Sequence, residues 1–185
     1  GRWSLEVAAV DMGSLKEGDA SISVSTSNIN GNSASAERQF AVDSTPPTLS
    51  INTVEADNQV NALEAGAGFD ISGTTNAEAG QKVIVKWLDG TYTADVNADG
   101  TWSVHIDAVQ DVTTLAQGMQ TVDVSVEDKA GNSTRHTHSV NIDTLVPELT
   151  LTPVTGDNKL NATELKQAQI ISGSCLNAEP GAVVT

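Results

Sequence analysis

A single cysteine, Cys175, rules out any disulfide within the chain. The setting is therefore either reducing, or one in which something other than disulfides staples the fold. Lysine and arginine are scarce, nine against 24 aspartates and glutamates, for a formal net charge of −15. That balance argues against nucleic acid and anionic membrane surfaces as partners, because both are met by basic side chains. No apolar run approaches the ~20 residues of a membrane-spanning helix, so no membrane insertion is expected. No secretory leader opens the sequence, so export is expected to be directed from outside this stretch. Sustained 3.6-residue periodicity is missing, which argues against parallel α/β folds. No nucleophile elbow or other catalytic motif appears, and enzymatic activity is not expected. No EF-hand or glycine-rich calcium nonapeptide is present either.

What is there is an internal repeat. Pro47-Thr48-Leu49-Ser50-Ile51 returns as Pro147-Glu148-Leu149-Thr150-Leu151, 100 residues on. Asp57-Asn58-Gln59-Val60-Asn61-Ala62-Leu63-Glu64 returns as Asp157-Asn158-Lys159-Leu160-Asn161-Ala162-Thr163-Glu164, and Ile71-Ser72-Gly73 as Ile171-Ser172-Gly173. The opening of the chain matches the middle: Trp3-Ser4 answers Trp102-Ser103, Gly18 answers Gly118, and Gly31-Asn32-Ser33 answers Gly131-Asn132-Ser133. The organising stretch is the joint Val42-Asp43-Ser44-Thr45-Pro46-Pro47, which recurs as Ile142-Asp143-Thr144-Leu145-Val146-Pro147. In each copy a strand-like end meets an acid, a hydroxyl residue and a proline that stops the strand. The chain thus reads as the back part of one module (1–44), a whole second module (45–144) and the front part of a third (145–185). Each end piece lacks a full set of strands and is expected to be unstable unless the protein continues past it.

The middle module reads as short strands separated by turn signals. Strands are expected near Thr48–Val54, Phe69–Thr75 and Lys82–Leu88. Asp89-Gly90 reads as a two-residue hairpin turn into Tyr92–Val96, and Asp99-Gly100 as another into Trp102–Ile106. Val109–Gly118 is less regular, with room for one helical turn. Thr121–Glu127 and Arg135–Ile142 flank the turn Lys129-Ala130-Gly131-Asn132. About seven strands in about a hundred residues, patterned with period two, predict an all-β immunoglobulin-like sandwich repeated in tandem.

On the joint, the Asp57–Glu64 loop, Ile71-Ser72-Gly73-Thr74, Ala98-Asp99-Gly100-Thr101-Trp102-Ser103 and Asp128-Lys129-Ala130-Gly131-Asn132, the whole chain resembles bacterial Ig-like modules. Such modules are strung in tandem in giant adhesins of Gram-negative bacteria. The likeness extends to the non-fimbrial, type I-secreted adhesins of enteric pathogens. Trp87, where such modules carry a smaller apolar residue, and Leu88-Asp89, in place of their Asn-Gly, depart from the pattern. The resemblance implies an extracellular, monomeric rod that is stiffened by calcium at its joints. It implies neighbouring Ig-like domains of the same chain as partners, and a distal region that binds host-cell surface glycans or glycoproteins.

In such a sandwich the B–C and F–G loops lie where the chain enters, and the A–B and E–F loops where it leaves. Glu78 and Asp128 are then expected to gather beside Asp43 at the first joint. Asp57 is expected beside Asp143 at the second, facing Glu179. Clusters of unpaired carboxylates repel one another, and Ca²⁺, with six to eight oxygen ligands, resolves that repulsion. Asn58, Asn61 and Glu64 either add oxygens to such a shell or cap the loop. An alternative is a carbohydrate-binding module with Trp87 or Trp102, the latter repeated as Trp3, as its sugar-stacking surface. For Trp3 and Trp102, repeated in structural modules, packing is the favoured reading; Trp87 is the better candidate for exposure, with core still ahead. His136 and His138 share a strand face and read as exposed sheet residues, and Cys175 as a buried or half-buried strand residue. A further alternative is a spacer of a secreted hydrolase.

Overall fold

A computed structural model describes residues 1–178 and 180–185. A short helix, α1 (Ala9–Met12), leads into strands β1 (Gly18–Ser27) and β2 (Ser33–Val42). The middle of the chain carries β3 (Leu49–Ile51), β4 (Gln59–Asn61), α2 (Ala62–Ala67), β5 (Phe69–Thr75), β6 (Lys82–Trp87), β7 (Gly90–Asp95), β8 (Thr101–Ile106), β9 (Gly118–Glu127) and β10 (Ser133–Asp143). Then come β11 (Glu148–Leu151) and β12 (Gly173–Leu176).

Strands β3 to β10 form two sheets, ordered β3-β5-β8 and β4-β10-β9-β6-β7. This is the A-B-E and A′-G-F-C-C′ arrangement of an immunoglobulin-like β-sandwich. Both sheets bury alternate residues: Phe69, Ile71, Gly73 and Thr75 along β5, and Val83, Val85 and Trp87 along β6. Period-two burial on each sheet is what two inner faces sharing one core require. One ladder departs from the antiparallel expectation. Strand β4 runs parallel to β10, with Val60 opposite Ile142 and Asn61 opposite Asp143.

By contacts the chain divides into two compact units. The first comprises Gly1–Asn52, Ile71–Val104 and Val122–His138. Its core is Ile71, Val83, Val85, Trp102, Val122 and Val124, each at most 1% exposed. The second comprises Thr53–Asp70, His105–Thr121 and Ser139–Thr185. Val54, Val60, Ala65, Val140 and Ile142 are buried there, together with the hydroxyl side chain of Thr144.

Gly73 explains one repeated motif. A Cβ on it would lie 1.9 Å from the Ser50 carbonyl oxygen and 2.6 Å from the Trp102 ring, so only glycine lets β3 and the indole close on β5. Gly173 stands in the same relation to the Thr150 carbonyl oxygen, also 1.9 Å.

Several local expectations are corrected. The A-strand stretch breaks after Ile51 into a 3₁₀ turn (Val54–Ala56) before β4. The motif Asn61–Glu64 opens a helix rather than a plain loop. The tight turn after β6 is Leu88-Asp89, because Trp87 pairs with Gly90. Leu88 takes φ +49 there, a conformation costly for a bulky side chain. Strands β1 and β2 pair with each other, and β11 with β12. Their apolar residues are half-buried or exposed: Ile22 is 53% exposed, whereas Val122, 100 positions on, is fully buried. Cys175 lies on β12 as expected of a strand residue, but exposed rather than buried.

Candidate functional site

The first joint is built from a short-range turn whose side chains reach the linker. At the turn from β9 to β10, the Asp128 side chain accepts backbone N–H bonds from Ala130 (3.0 Å) and Asn132 (2.8 Å). Asp128 is buried, at 9% exposure. Burial pushes its carboxyl up, but the side-chain and backbone donors of Asn132, with those of Ala130 and Gly131, outweigh that and hold it below the ordinary aspartate value. The Asn132 side-chain amide then reaches two ways. It donates to Asp128 Oδ2 at 3.1 Å, to the Asp43 carbonyl oxygen at 3.2 Å and to Asp43 Oδ1 at 3.3 Å. Glu78, in the loop between β5 and β6, accepts from the Lys129 backbone N–H at 3.1 Å. Asp43, Glu78 and Asp128 thus come from three separate segments onto one hydrogen-bonded corner.

The rest of the linker is fastened to the same unit. Thr134 Oγ1 donates to the Pro47 carbonyl oxygen. Asn76 Oδ1 accepts from Thr48 N–H at 2.6 Å, and Thr75 Oγ1 donates to the Thr48 carbonyl at 2.6 Å. On the other side, Glu17 accepts from the backbone N–H of Ser44 at 2.9 Å and from its hydroxyl. These bonds from Ser44 hold the Glu17 carboxyl below its usual value.

At the second joint, Asp143 ends β10 and its Oδ1 accepts from Leu145 N–H at 3.3 Å, as Asp43 Oδ1 does from Thr45 at 3.2 Å. Asp57 Oδ1 accepts from Gln59 N–H at 2.9 Å. The ladder sets Asp143 level with Asn61, and each acid closes its own turn. Glu179 lies outside the described residues. Thr144, 2% exposed, is held by Gln117: its N–H donates to Gln117 Oε1 and its Oγ1 accepts from Gln117 Nε2, both at 2.9 Å. Its own hydroxyl donates to the Val112 carbonyl at 2.8 Å.

Asn61 and Glu64 cap α2. Asn61 Oδ1 accepts from the N–H groups of Leu63 and Glu64, and Glu64 Oε2 accepts from Asn61 N–H at 2.9 Å. Asn161 and Glu164 repeat that box. Asn58 closes the preceding turn, its Oδ1 accepting from Val54 N–H at 3.0 Å. Trp87 and Trp102 are 3% and 1% exposed, so neither offers a stacking face, whereas Trp3 is 73% exposed.

Sequence reasoning did not find Asn132, Thr134, Asn76, Glu17 or Gln117 as joint residues. The 100-residue repeat carried the signal, since Asn32 and Asn132, Glu17 and Gln117, and Ser44 and Thr144 stand in register.

Apart from the Asn132 NH₂, the groups at the first joint are oxygen acceptors: the carboxylates of Asp43, Glu78 and Asp128 and the Asp43 backbone carbonyl. That is the chemistry a hard dication selects. Among the described residues, however, no three His, Cys, Asp or Glu side chains are grouped closely enough to hold an ion. The Asn132 NH₂ stands between the carboxylates of Asp43 and Asp128. The donor chemistry fits calcium; the side chains are not drawn together as a cage.

These sheets define an immunoglobulin-like β-sandwich. No protein-family model and no curated protein matches the chain. Solved structures do. One, from a study of host cell surface retention of a 1.5-MDa bacterial ice-binding adhesin, is 27% identical, covers 94% of this chain and 57% of its own, and has a TM-score of 0.49. A second, a Ca²⁺-stabilized adhesin with which an Antarctic bacterium binds ice, is 28% identical over 94% of this chain and 43% of its own, with a TM-score of 0.45. A third, a bacterial immunoglobulin-like domain of the M. primoryensis ice-binding adhesin, is 30% identical over 54% of this chain and all of its own, with a TM-score of 0.41. The chain thus spans about half the length of the first two. The fold assignment rests on the chain's own strand order and burial.

Proposed function

We propose that the chain is a stalk segment of a large bacterial surface adhesin, with repeats meeting at 44/45 and 144/145 and calcium stiffening the joints. The observation that carries this reading is the corner at which Asn132 links Asp43 to Asp128, with Glu78 on the adjoining amide. Asp43, Glu78 and Asp128 would hold the ion at the first joint, and Asp57, Asp143 and Glu179 at the second. When bound, a hard dication supplies the positive charge that offsets carboxylate repulsion. The chain's own residues do the rest. Pro46 and Pro47 stiffen the linker, Thr134 and Asn76 seat it, and Asn132 holds the carboxylates of Asp43 and Asp128 at one corner.

The segment has no enzymatic role on this reading. It works outside the cell, exported by the type I route of an enteric Gram-negative bacterium. It presents, or contributes to, binding of host-cell glycans or glycoproteins. In the absence of disulfides, a cation that binds only the ordered joint also stabilises the folded repeats by linkage.

The test is calorimetric titration of the full chain with calcium, compared with Asp43→Ser and Asp143→Ser variants. The reading expects heat of binding in the parent chain and at least a tenfold loss of affinity at the altered joint. Equal affinity in all three chains would overturn it.

A further inference from the structure

We propose that Glu17 and Gln117 are joint-positioning residues that clamp the hydroxyl residue of the joint, Ser44 or Thr144, to the repeat the linker is leaving. The clamp needs no ion. It goes beyond the calcium reading by assigning the two sides of a joint to different devices.

Two copies of the clamp stand 100 residues apart, and in both the side-chain oxygen before the strand-opening glycine accepts the linker N–H at 2.9 Å. Both are followed by a glycine with positive φ, Gly18 at +104 and Gly118 at +88, which turns the chain into β1 or β9 and leaves the preceding side chain beside the strand's partner. Gly18 pairs with Val42, so the β-ladder itself delivers residue 17 to the level of the linker. A backbone N–H in a linker has no sheet partner of its own, and a side-chain acceptor from a fixed turn satisfies it while setting its direction.

The copies differ in chemistry. Gln117 offers both an acceptor and a donor, and with the Val112 carbonyl it holds Thr144 by three bonds at a buried position. Glu17 offers only acceptors and takes both donors of Ser44 at an exposed corner. Asp43 and Ser44, adjacent in sequence, are therefore bound by different segments: Asp43 by Asn132 of the following repeat and Ser44 by Glu17 of the preceding one.

Amide hydrogen exchange of Ser44 and Thr144, followed by NMR on the full chain in chelator, tests this directly. The parent chain is expected to protect both amides without calcium. Glu17→Ala should speed exchange at Ser44 about tenfold or more while leaving Thr144 unchanged, the scale of one lost hydrogen bond. Gln117→Ala should do the reverse, and Glu17→Gln, which keeps the acceptor, should retain protection at Ser44. Parent-like exchange at Ser44 in Glu17→Ala overturns the clamp, as does simultaneous loss at both amides. Protection that appears only on adding calcium also overturns it, and leaves the ion reading intact. Glu17 sits at an exposed corner, so its variants keep the test decisive even where Gln117→Ala unfolds.

Discussion

Asn132 donates its side-chain amide to the carbonyl oxygen of Asp43 at 3.2 Å, across 89 residues of chain. The same amide donates to Asp128 Oδ2 at 3.1 Å. One neutral side chain therefore ties the linker to the turn that follows β9, between two carboxylates that would otherwise repel each other. Replacing Asn132 with Ala removes the tie and leaves both acids facing each other unbridged. The midpoint of urea unfolding is expected to fall with no change in slope. An unchanged midpoint would show that the bridge adds nothing.

Asp128 gives the chain part of its acid sensitivity. Its folded carboxyl sits below the ordinary aspartate value, as do those of Asp99, held by Thr101, and Asp123, held by Arg135. A lowered folded value means stability that is present above the unfolded pKa and lost as pH falls through the folded one. Stability should thus be flat from neutrality to about pH 5 and decline below about pH 4. Asp128→Asn should fold, because Asn28 makes the same turn, its Oδ1 accepting from Asn30 and Asn32 N–H at 3.0 Å each. Urea titrations at pH 7 and pH 3 should show a smaller difference for this variant than for the parent chain.

Gly73→Ala places a methyl 1.9 Å from the Ser50 carbonyl oxygen, a backbone atom that moves only if β3 leaves β5. The expected cost is about 2 kcal/mol or more, in the range of severe overpacking, measured by chemical denaturation. A loss below about 0.5 kcal/mol would mean that β3 is not closely seated there.

The tryptophans divide sharply. Trp3 should be quenched by acrylamide, and Trp87 and Trp102 should resist it, since they are 73%, 3% and 1% exposed. Trp102→Ala should destabilise by about 3–5 kcal/mol, as buried aromatics do. A Trp102→Ala chain of unaltered stability would return that ring to the surface and reopen the sugar-platform reading.

Much of this was legible in sequence because it repeats. Period-two burial placed β5, β6 and β9, and the 100-residue spacing set Asp43 and Ser44 in register with Asp143 and Thr144. The A-strand region was not legible: its break after Ile51 depends on Asn58, whose φ of +61 and side-chain bond to Val54 close a turn that periodicity does not signal. The short helix α2 was missed because Asn61 and Glu64 suit a cation shell as well as a capping box, and only geometry separates the two. Acids stood out at the joint, while their neutral partners did not. Asn132, Thr134 and Gln117 act through contacts 27 to 89 residues away in sequence, which no local pattern reveals.

The most direct measurement is small-angle X-ray scattering of the full chain, first in millimolar calcium and then in chelator. The account predicts a long, fixed maximum dimension with calcium and a shorter, heterogeneous one without it, because the joint carboxylates then repel one another with no cation to offset them. Superimposable profiles in the two conditions would contradict it, and would leave the joints to prolines and hydrogen bonds.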